Sequence, residues 1–397
     1  MEIIQQKFFE KYAHTQTDVI RDFIHEIDWN NRLIGIKGSR GIGKSTLLLQ
    51  YIKKNFKPNN QILYASLDNF YFSENKLYHL ADDFQKKGGQ TLVLDEVHRY
   101  NDWSTEIKNI YDDFPNLQII FTGSSMLHLQ KAKADLSRRA VMYEMKGLSF
   151  REFIYFENKI KLPKYDIKDI ITNHIEIAID IVTKFKPLAL FENYLNYGYY
   201  PYYLENKKSF HQKLTETVLT VLEVDIPQFE HIQTSNIIYL KRLLHIISNS
   251  VPFKPNMHVL SERTGISLNT MKTYLKYLSE TNLILALEHP NKGINTLNKP
   301  EKIYLENPNL MYNLAGENAN IGTIRETFFF NQTSKLNTVN PSASADFYIN
   351  DLYTFEVGGK NKQQKQIANI DNSFVVKDNI EIGSENTIPL WLFGLLY

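Results

Sequence analysis

The residues with the clearest chemical potential lie near the start of the chain, where glycines and polar residues lead to a lysine and two hydroxyl groups. They fit the pattern G-x-x-x-x-G-K-[ST], followed by one more threonine. The matching residues are Gly38, Ser39, Arg40, Gly41, Ile42, Gly43, Lys44, Ser45 and Thr46. Glycines let backbone N–H groups turn inward and approach an anion closely. The pattern therefore predicts a loop that wraps the phosphates of a nucleotide.

Two side chains of this loop have separate predicted tasks. Lys44 would reach the β- and γ-phosphate oxygens, and the Ser45 hydroxyl would coordinate Mg²⁺. The apolar run 33–36 predicts a buried strand before the loop, and residues 47–52 predict a helix after it. The positive end of that helix adds to the anion site. We therefore expect ATP and Mg²⁺ as ligands; a glycine-rich turn without a ligand is the alternative.

A pair of adjacent carboxylates follows a second apolar run, residues 92–94. Asp95 would hold Mg²⁺, directly or through water, and Glu96 would polarise the attacking water. Phosphoryl transfer needs these two tasks on separate groups, because its catalysis is mostly positioning and charge stabilisation. Without the loop upstream, the same pattern is typical of a strand that meets a solvated turn.

Two further segments offer groups for the γ-phosphate and for transition-state charge. Residues 117–125 predict a buried strand that ends in hydroxyl residues, of which Ser124 or Ser125 would hydrogen-bond the γ-phosphate or the attacking water. Capping of a following helix is the alternative for these serines. Either Arg138 or Arg139 could act as an arginine finger, in cis or from a neighbouring subunit. A solvated basic face is the alternative for the arginines.

Elements that would position these residues alternate along the first part of the chain. Apolar strand-like runs and helical stretches follow one another in the pattern of βαβ units, which predicts an α/β fold with a parallel sheet. Ligands in such sheets bind beyond the carboxyl ends of the strands, where the glycine-rich loop falls. The strand candidates are residues 33–36, 62–67, 91–94, 117–121 and 140–145.

The remaining chain is predicted to be helical first and mixed later. Residues 148–250 are mostly of helical pattern, with a loop inside 194–203. Residues 259–262 predict a helix, 264–267 a tight turn and 268–280 a second helix, followed by a strand at 283–287. Four more strand candidates predict a small α/β domain at the end. These candidates are residues 347–349, 354–357, 374–376 and 390–393.

The bulk composition limits the classes of function. At 397 residues we expect two or three domains, and 43% hydrophobic with 22% charged residues is typical of a soluble globular protein. A net charge of +1 means that any nucleic-acid or membrane binding needs a local patch. The absence of cysteine excludes disulfides, thiolate zinc sites and a cysteine nucleophile. No signal peptide or membrane span is visible, so we expect a cytoplasmic protein without membrane contact.

Taken together, the motifs resemble a group of prokaryotic AAA-type ATPases. In that group the ATPase core is joined to a winged helix and a C-terminal restriction-endonuclease-like domain. The resemblance implies a P-loop ATPase core at 1–147, a helical region at 148–250, a winged helix at 251–310 and an α/β nuclease-like domain at 311–397. It rests on residues 38–45, 94–98, 122–125 and 148–153, and later on Tyr194, Leu195, Gly198, Pro201, residues 265–267, Thr270, Tyr274 and Leu275.

The resemblance also assigns roles within the core. It implies Lys44 and Ser45 as nucleotide and Mg²⁺ ligands, Asp95 and Glu96 as the acidic pair, and Ser124 or Ser125 as a sensor. Arg139 matches the arginine that follows a small-residue turn in the family. The family usually has glycine before that arginine, where this chain has Arg138, so both arginines stay candidates.

Two features of the later chain could act on nucleic acid. In the helix-turn-helix, Lys272 and Lys276 would lie near phosphates and Asn269 or Thr273 near bases, although winged helices also serve as protein-contact modules. Glu326, Asp346, Glu356 and Lys360 resemble a nuclease-type arrangement, in which two carboxylates bind Mg²⁺ and the lysine stabilises developing charge. The lysine usually follows the glutamate by two residues, and Gly358-Gly359 weaken the intervening strand. An active nuclease and a degenerate binding fold both stay open.

These observations predict a Mg²⁺-dependent ATPase whose turnover changes the conformation of its C-terminal domains, as a regulatory or defence switch. The alternative is an ATP-gated nucleic-acid-binding protein or nuclease. A homo-oligomer or a protein partner is compatible with either function.

Overall fold

The computed structural model describes residues 1–123, 136, 138–227, 236–250, 254, 256–289, 300–363 and 367–397. The chain forms two compact units, Met1–Lys146 and Gly147–Tyr397. We call them the first and the second unit. The finer division predicted within the second unit stays a prediction.

The first unit is an α/β fold built on a sheet of five parallel strands, as predicted. The sheet order is β2-β3-β4-β1-β5, and every neighbouring pair is parallel. Its strands are β1 (Leu33–Lys37), β2 (Ile62–Ser66), β3 (Thr91–Asp95), β4 (Gln118–Gly123) and β5 (Val141–Glu144). Its helices are α1 (Glu2–His14), α2 (Lys44–Asn55), α3 (Tyr71–Glu74), α4 (Leu77–Lys86) and α5 (Trp103–Asp113).

The central strands are apolar along almost their whole length because they are buried on both faces. Every residue of β3 is buried, and so are the first four residues of β1 and β2. Such continuous apolar runs are typical of parallel sheets. The register then sets the carboxyl ends level, since Ile36 of β1 pairs with Thr122 of β4 and Leu94 of β3 pairs with Phe121.

Gly38 begins the loop after β1 at a point with no room for a side chain. A Cβ atom there would lie 2.2 Å from the backbone oxygen of Met145. Any larger residue would push the loop away from the segment that follows β5. Close approach of two backbones therefore explains the first glycine of the motif.

The second unit combines helices with two further sheets. One sheet has the order β12-β11-β10-β9-β8, with β10, β11 and β12 parallel and β9 antiparallel to both of its neighbours; β6 and β7 form a separate antiparallel pair. Its helices are α6 (Phe150–Asn158), α7 (Ile167–Lys184), α8 (Pro187–Asn193), α9 (Phe210–Thr220), α10 (Ile237–Ser250), α11 (Met257–Thr264), α12 (Leu268–Glu280), α13 (Pro308–Ala315) and α14 (Ile321–Thr333). Its strands are β6 (Ile284–Leu287), β7 (Lys302–Leu305), β8 (Val339–Pro341), β9 (Phe347–Ile349), β10 (Tyr353–Gly358), β11 (Ser373–Lys377) and β12 (Thr387–Pro389).

The helix-turn-helix prediction is confirmed at the level of secondary structure. Helix α12 begins and ends at the predicted residues, and Met271, Tyr274, Leu275 and Leu278 form its buried stripe. Ser267 caps it by accepting a hydrogen bond from the Thr270 N–H, as expected of an N-cap serine. The antiparallel pair β6 and β7 follows along the chain.

The loop predicted inside residues 194–203 is confirmed, since Tyr199 and Tyr200 separate the π-helical turn Tyr194–Gly198 from the 3₁₀ helix Pro201–Leu204. One prediction in the second unit was wrong. Residues 390–393, predicted as a strand, belong to the buried 3₁₀ helix Leu390–Leu395. Short apolar runs suit a buried strand and a buried helical turn equally well, so periodicity alone could not separate them.

Among the described residues, no helix is both long enough and apolar enough to cross a membrane.

Candidate functional site

The glycine-rich loop joins the carboxyl end of β1 to the start of α2 and presents a buried lysine. Lys44 is only 4% exposed, and its Nζ donates hydrogen bonds to the backbone oxygens of Gly38 at 2.9 Å and Ser39 at 2.7 Å. The backbone oxygens of the loop thus fix the position of the Lys44 ammonium group. An ammonium group already desolvated in this way is suited to attract phosphate oxygens.

The start of α2 has a glycine cap and no capping side chain. Gly43 is the N-cap residue, at φ 92° in the left-handed region, and no side-chain hydrogen bond caps the helix. First-turn N–H groups of a helix have no partners within the helix itself, and they carry the positive end of its dipole. Backbone N–H groups next to Lys44 are the donor set that a polyphosphate needs.

Asp95, the last residue of β3, is buried and held by two neutral hydroxyl groups. It accepts hydrogen bonds from the Tyr64 hydroxyl at 2.5 Å and from Thr122 Oγ1. Burial and the neighbouring Asp95 carboxylate raise the pKa of Tyr64, so its hydroxyl stays protonated as a donor. Because neither donor carries charge, the negative charge of Asp95 has no ionic partner among these contacts.

Thr122 of β4 links the two predicted acidic residues. Its hydroxyl donates to Asp95 Oδ1 and accepts a hydrogen bond from the Glu96 N–H at 3.2 Å. The side chain is fully buried, at 0% exposure, near the end of β4, after three apolar residues. One hydroxyl therefore fixes both the Asp95 carboxylate and the backbone of Glu96.

Glu96 itself has an unusual backbone for a residue with a side chain. Its φ of 53° lies in the left-handed region, directly before the 3₁₀ turn Val97–Arg99. Its carboxylate contacts a buried histidine, with 3.3 Å between His98 Nε2 and Glu96 Oε2. Such a backbone conformation is disfavoured for residues other than glycine and persists only when neighbouring groups determine it.

The loop and the acidic pair both lie at the carboxyl ends of the strands. Strand β4 lies between β1 and β3. Thr122 of β4 pairs with Ile36 of β1, and Asp95 comes one residue after Leu94, which pairs with Phe121 of β4. Two strand spacings separate the Asp95 backbone from the end of β1 by about 10 Å. Lys44, Ser45, Asp95 and Glu96 thus all follow or end strands at the carboxyl end of the sheet, and their predicted roles stay predictions.

Arg139 lies at the opposite end of the sheet, where the strands begin. It forms a bidentate ion pair with Asp112 in the last turn of α5, with both N–O distances 2.9 Å, and this hydrogen-bonded pairing lowers the pKa of Asp112. Both residues lie near the amino ends of the strands, since β4 and β5 begin shortly after them. The length of β1, about 13 Å, therefore separates Arg139 from the loop of its own chain.

The remaining predicted site residues are placed as follows. Arg138 is exposed beside Arg139. Ser124 and Ser125 lie outside the described residues, and their predicted sensor role stays a prediction.

Sequence reasoning missed several residues that the structure brings to the site. Arg21 is buried and donates to the backbone oxygens of Ile42 at 3.2 Å and Lys146 at 2.7 Å. It thereby connects the glycine-rich loop to the segment that follows β5. Tyr64 and Thr122 meet Asp95 across strand pairs, and His98 meets Glu96 through a turn. A polar Thr122 at the end of an apolar strand was the only visible signal; the other partners depend on tertiary contacts.

A second cluster of charged residues lies within the second unit. Lys302 Nζ is 3.4 Å from Glu326 Oε2 and 3.3 Å from Asp346 Oδ1, and the Tyr304 hydroxyl donates to Glu326 at 2.7 Å. Glu356 forms an ion pair with Lys362. The expected partner Lys360 is exposed beyond the end of β10, so Lys362 takes its place.

This second cluster does not fit a divalent cation in its present arrangement. The ammonium of Lys302 lies between Glu326 and Asp346, two of the three carboxylates that could hold the metal. Within the described part of the chain, no group of three or more histidine or acidic side chains is arranged as a metal site. Burial and the nearby Asp346 carboxylate raise the pKa of Glu326, and burial also raises that of Glu356.

Two stretches of the chain match models of known domain families. Residues 30–154 match the family model of an AAA domain (AAA_14), and residues 188–320 match a domain of unknown function (DUF8612). The uncharacterized protein MJ1637 of Methanocaldococcus jannaschii is 24% identical over 317 residues, which cover 76% of this chain and 66% of that protein. The chain thus spans slightly less than two thirds of this relative's length.

Solved structures with some likeness include the Walker-type ATPase PABY2304 of Pyrococcus abyssi, at 13% identity and a TM-score of 0.40, covering 78% of this chain and 95% of that one. AMPPCP-bound DnaA from Aquifex aeolicus is 15% identical with a TM-score of 0.24, covering 70% of this chain and 88% of that one. Scores this low do not by themselves establish a common fold. The match to the AAA domain model, together with the parallel sheet, supports an AAA-type ATPase; the winged helix and the nuclease-like domain stay predictions.

We expect Thr122→Val to destabilise the first unit. The substitution keeps the shape but leaves the Glu96 N–H and one Asp95 oxygen without this buried partner, at a cost of about 1–3 kcal/mol in the free energy of unfolding. Urea unfolding measures the loss. Thr122→Ser, which keeps the hydroxyl and removes one methyl group, should lose no more than about 1 kcal/mol. Equal stability of Thr122→Val and the wild type would contradict the bridging role.

We expect the stability of the second unit to depend on pH through Glu326. Because the folded pKa is raised above its ordinary value of 4.5, this group adds stability below that value and loses it as pH rises. Glu326→Gln should therefore become more stable relative to wild type between pH 4.5 and pH 7, as measured by urea unfolding. The exposed Glu317→Gln is the control and should show no such trend. A difference that shrinks with rising pH would show that the sign is wrong.

Proposed function

We propose that the first unit binds ATP with Mg²⁺ and hydrolyses it. The observation that carries the proposal is the arrangement at one sheet edge of a desolvated Lys44, an open helix start and the adjacent carboxylates Asp95 and Glu96. Each group has a chemically distinct part in phosphoryl transfer. The match of residues 30–154 to an AAA domain supports the same reading.

In the proposed mechanism the loop binds the polyphosphate first. Loop and first-turn N–H groups donate to its oxygens, and Lys44 adds a positive charge that its carbonyl contacts already hold in place. Ser45 and Asp95 are the residues that would hold Mg²⁺. When bound, Mg²⁺ neutralises charge on the β- and γ-phosphate oxygens. The neutral donors Tyr64 and Thr122 orient Asp95 without compensating its charge, so that charge is available to a cation.

Glu96 is the proposed general base. Its carboxylate accepts a proton from the attacking water as the bond from water oxygen to the γ-phosphorus forms and the bond to the β–γ bridging oxygen breaks. A base must lie within hydrogen-bond reach of the proton that it takes. The bond from the Glu96 N–H to Thr122 fixes the backbone that carries this base.

Arg139 is proposed to act on the nucleotide of a neighbouring copy of the chain. Within its own chain it is paired with Asp112 at the opposite edge of the sheet and cannot reach the phosphates. A second copy that presents this edge to the loop would deliver a positive charge to the transition state. This role makes the active form a homo-oligomer.

We further propose that turnover changes the conformation of the second unit, as a regulatory or defence switch. About 250 residues follow the first unit, which is more chain than nucleotide chemistry needs. Nucleic-acid contact is the alternative use of the second unit. It is favoured by the exposed side chains of Asn269, Thr273 and Lys276 on α12. The Lys302 ammonium between Glu326 and Asp346 speaks against cleavage by the second cluster.

Substitutions in the loop and the acidic pair separate binding from hydrolysis. Lys44→Ala should abolish ATP binding in a calorimetric titration. Glu96→Gln should retain binding but lower the rate of phosphate release about 100-fold or more, since general bases contribute at least that much. Lys54→Ala, an exposed lysine on the same helix, should retain both. Fast hydrolysis by Glu96→Gln would refute the assigned base, and unimpaired binding by Lys44→Ala would refute the nucleotide site.

Mixing of two inactive variants tests the role of Arg139. We expect Arg139→Ala and Glu96→Gln each to hydrolyse ATP slowly, and their mixture to regain turnover, because an intact arginine from one copy meets an intact base in the other. Asp112→Asn breaks the same ion pair while keeping Arg139, so it should retain activity. If Arg139→Ala is inactive and mixing restores nothing, the arginine does not act between copies.

A further inference from the structure

We propose that His98 is a positioning residue that holds the carboxylate of Glu96 for hydrolysis. The inference rests on the proposed ATPase function and adds a residue whose role the motif does not assign. It is carried by the contact between the two side chains, by the burial of His98, and by the backbone conformation of Glu96.

The contact joins a buried donor to a partly exposed acceptor. His98 Nε2 lies 3.3 Å from Glu96 Oε2; the histidine side chain is 0% exposed and that of the glutamate 21% exposed. A side chain without solvent exposure has little freedom to change rotamer in a packed interior. The histidine is therefore a fixed point against which the more mobile glutamate is held.

The backbone leaves the side chain of Glu96 as the main source of freedom at this position. The Glu96 N–H is bonded to Thr122, and its φ of 53° places it at a sharp turn out of β3. With the backbone determined in this way, the direction of the carboxylate depends on the side-chain torsions. Ordering a long acidic side chain costs conformational entropy. A contact at the end of the Glu96 side chain offsets this cost and holds the carboxylate in one direction.

The chemistry of the contact suits a general base. In the tautomer that carries its proton on Nε2, His98 donates to Oε2 and thereby fixes the direction of the carboxylate. In metal sites, groups that hydrogen-bond a metal-ligating side chain hold its orientation, and their removal costs about 10- to 100-fold in activity or metal affinity. His98 would hold the Glu96 carboxylate in the same way. His98 touches neither water nor phosphate in this scheme and acts only through Glu96.

Substitutions of His98 by side chains of different length test this role. Glutamine can place an amide nitrogen near the position of imidazole Nε2, whereas asparagine is too short to do so. We expect His98→Asn and His98→Ala to lower kcat about 10- to 100-fold, with the KM for ATP unchanged because the phosphate loop is intact. His98→Gln should recover most of the lost kcat. His174→Gln, at a buried histidine of the second unit, is the control and should leave both constants unchanged.

The outcomes are distinguishable. If the wild type neither binds nor hydrolyses ATP, the proposed function fails and this inference fails with it. If the wild type hydrolyses ATP and His98→Asn keeps the same kcat, only the inference fails. Equal loss in His98→Gln and His98→Asn, or a rise in KM that parallels the loss in kcat, would indicate a structural role and would likewise overturn it. Since Gln and Asn are both polar amides, the comparison between them holds even if His98→Ala does not fold.

Discussion

The candidate site depends on the hydroxyl of Thr122, which joins β3 and β4 where both strands end. It donates to the Asp95 carboxylate and accepts from the Glu96 N–H. The two acidic residues are neighbours in sequence but have different predicted tasks, so their carboxylates must point to different places. The sharp turn at Glu96 makes this divergence possible, and Thr122 stabilises it. An apolar residue at this place would leave a buried carboxylate oxygen and a backbone N–H without that bond, which is costly in an interior.

Asp95 and the acidic cluster of the second unit differ in how their charge is compensated. Asp95 is held by the neutral hydroxyls of Tyr64 and Thr122, whereas Glu326 and Asp346 share the ammonium of Lys302. Neutral donors orient a carboxylate but leave its charge, so a cation is still attracted. An ammonium between two carboxylates provides the cation itself. For this reason the proposed Mg²⁺ site lies in the first unit, while the similar residue types of the second unit form an ion cluster with Lys302.

The features that sequence predicted well are those that depend on local pattern. The five strands of the first sheet, the loop from Gly38 to Lys44 and the bounds of α12 follow from apolar periodicity and glycine spacing. Contacts between distant residues could not be predicted in this way. Tyr64 reaches Asp95 across 31 positions, and Lys302 reaches Asp346 across 44. Lys362 replaces Lys360 at Glu356 because β10 ends at Gly358, and the 3₁₀ helix at Leu390 shares its apolar pattern with a strand.

A single copy of the chain places all the proposed site groups that the structure describes at one sheet edge except for one. Arg139 is at the opposite edge, where Asp112 compensates its charge. The two side chains are partly exposed, at 30% and 41%, so solvent and salt screen their attraction. The pair can therefore be given up when a stronger anion is near. A polyphosphate held by a second copy carries more charge than one carboxylate and offers the planar guanidinium a bidentate contact. Partial exposure of the pair with Asp112 is thus compatible with the proposed role of Arg139, in which it exchanges this carboxylate for the phosphates bound by a neighbouring copy.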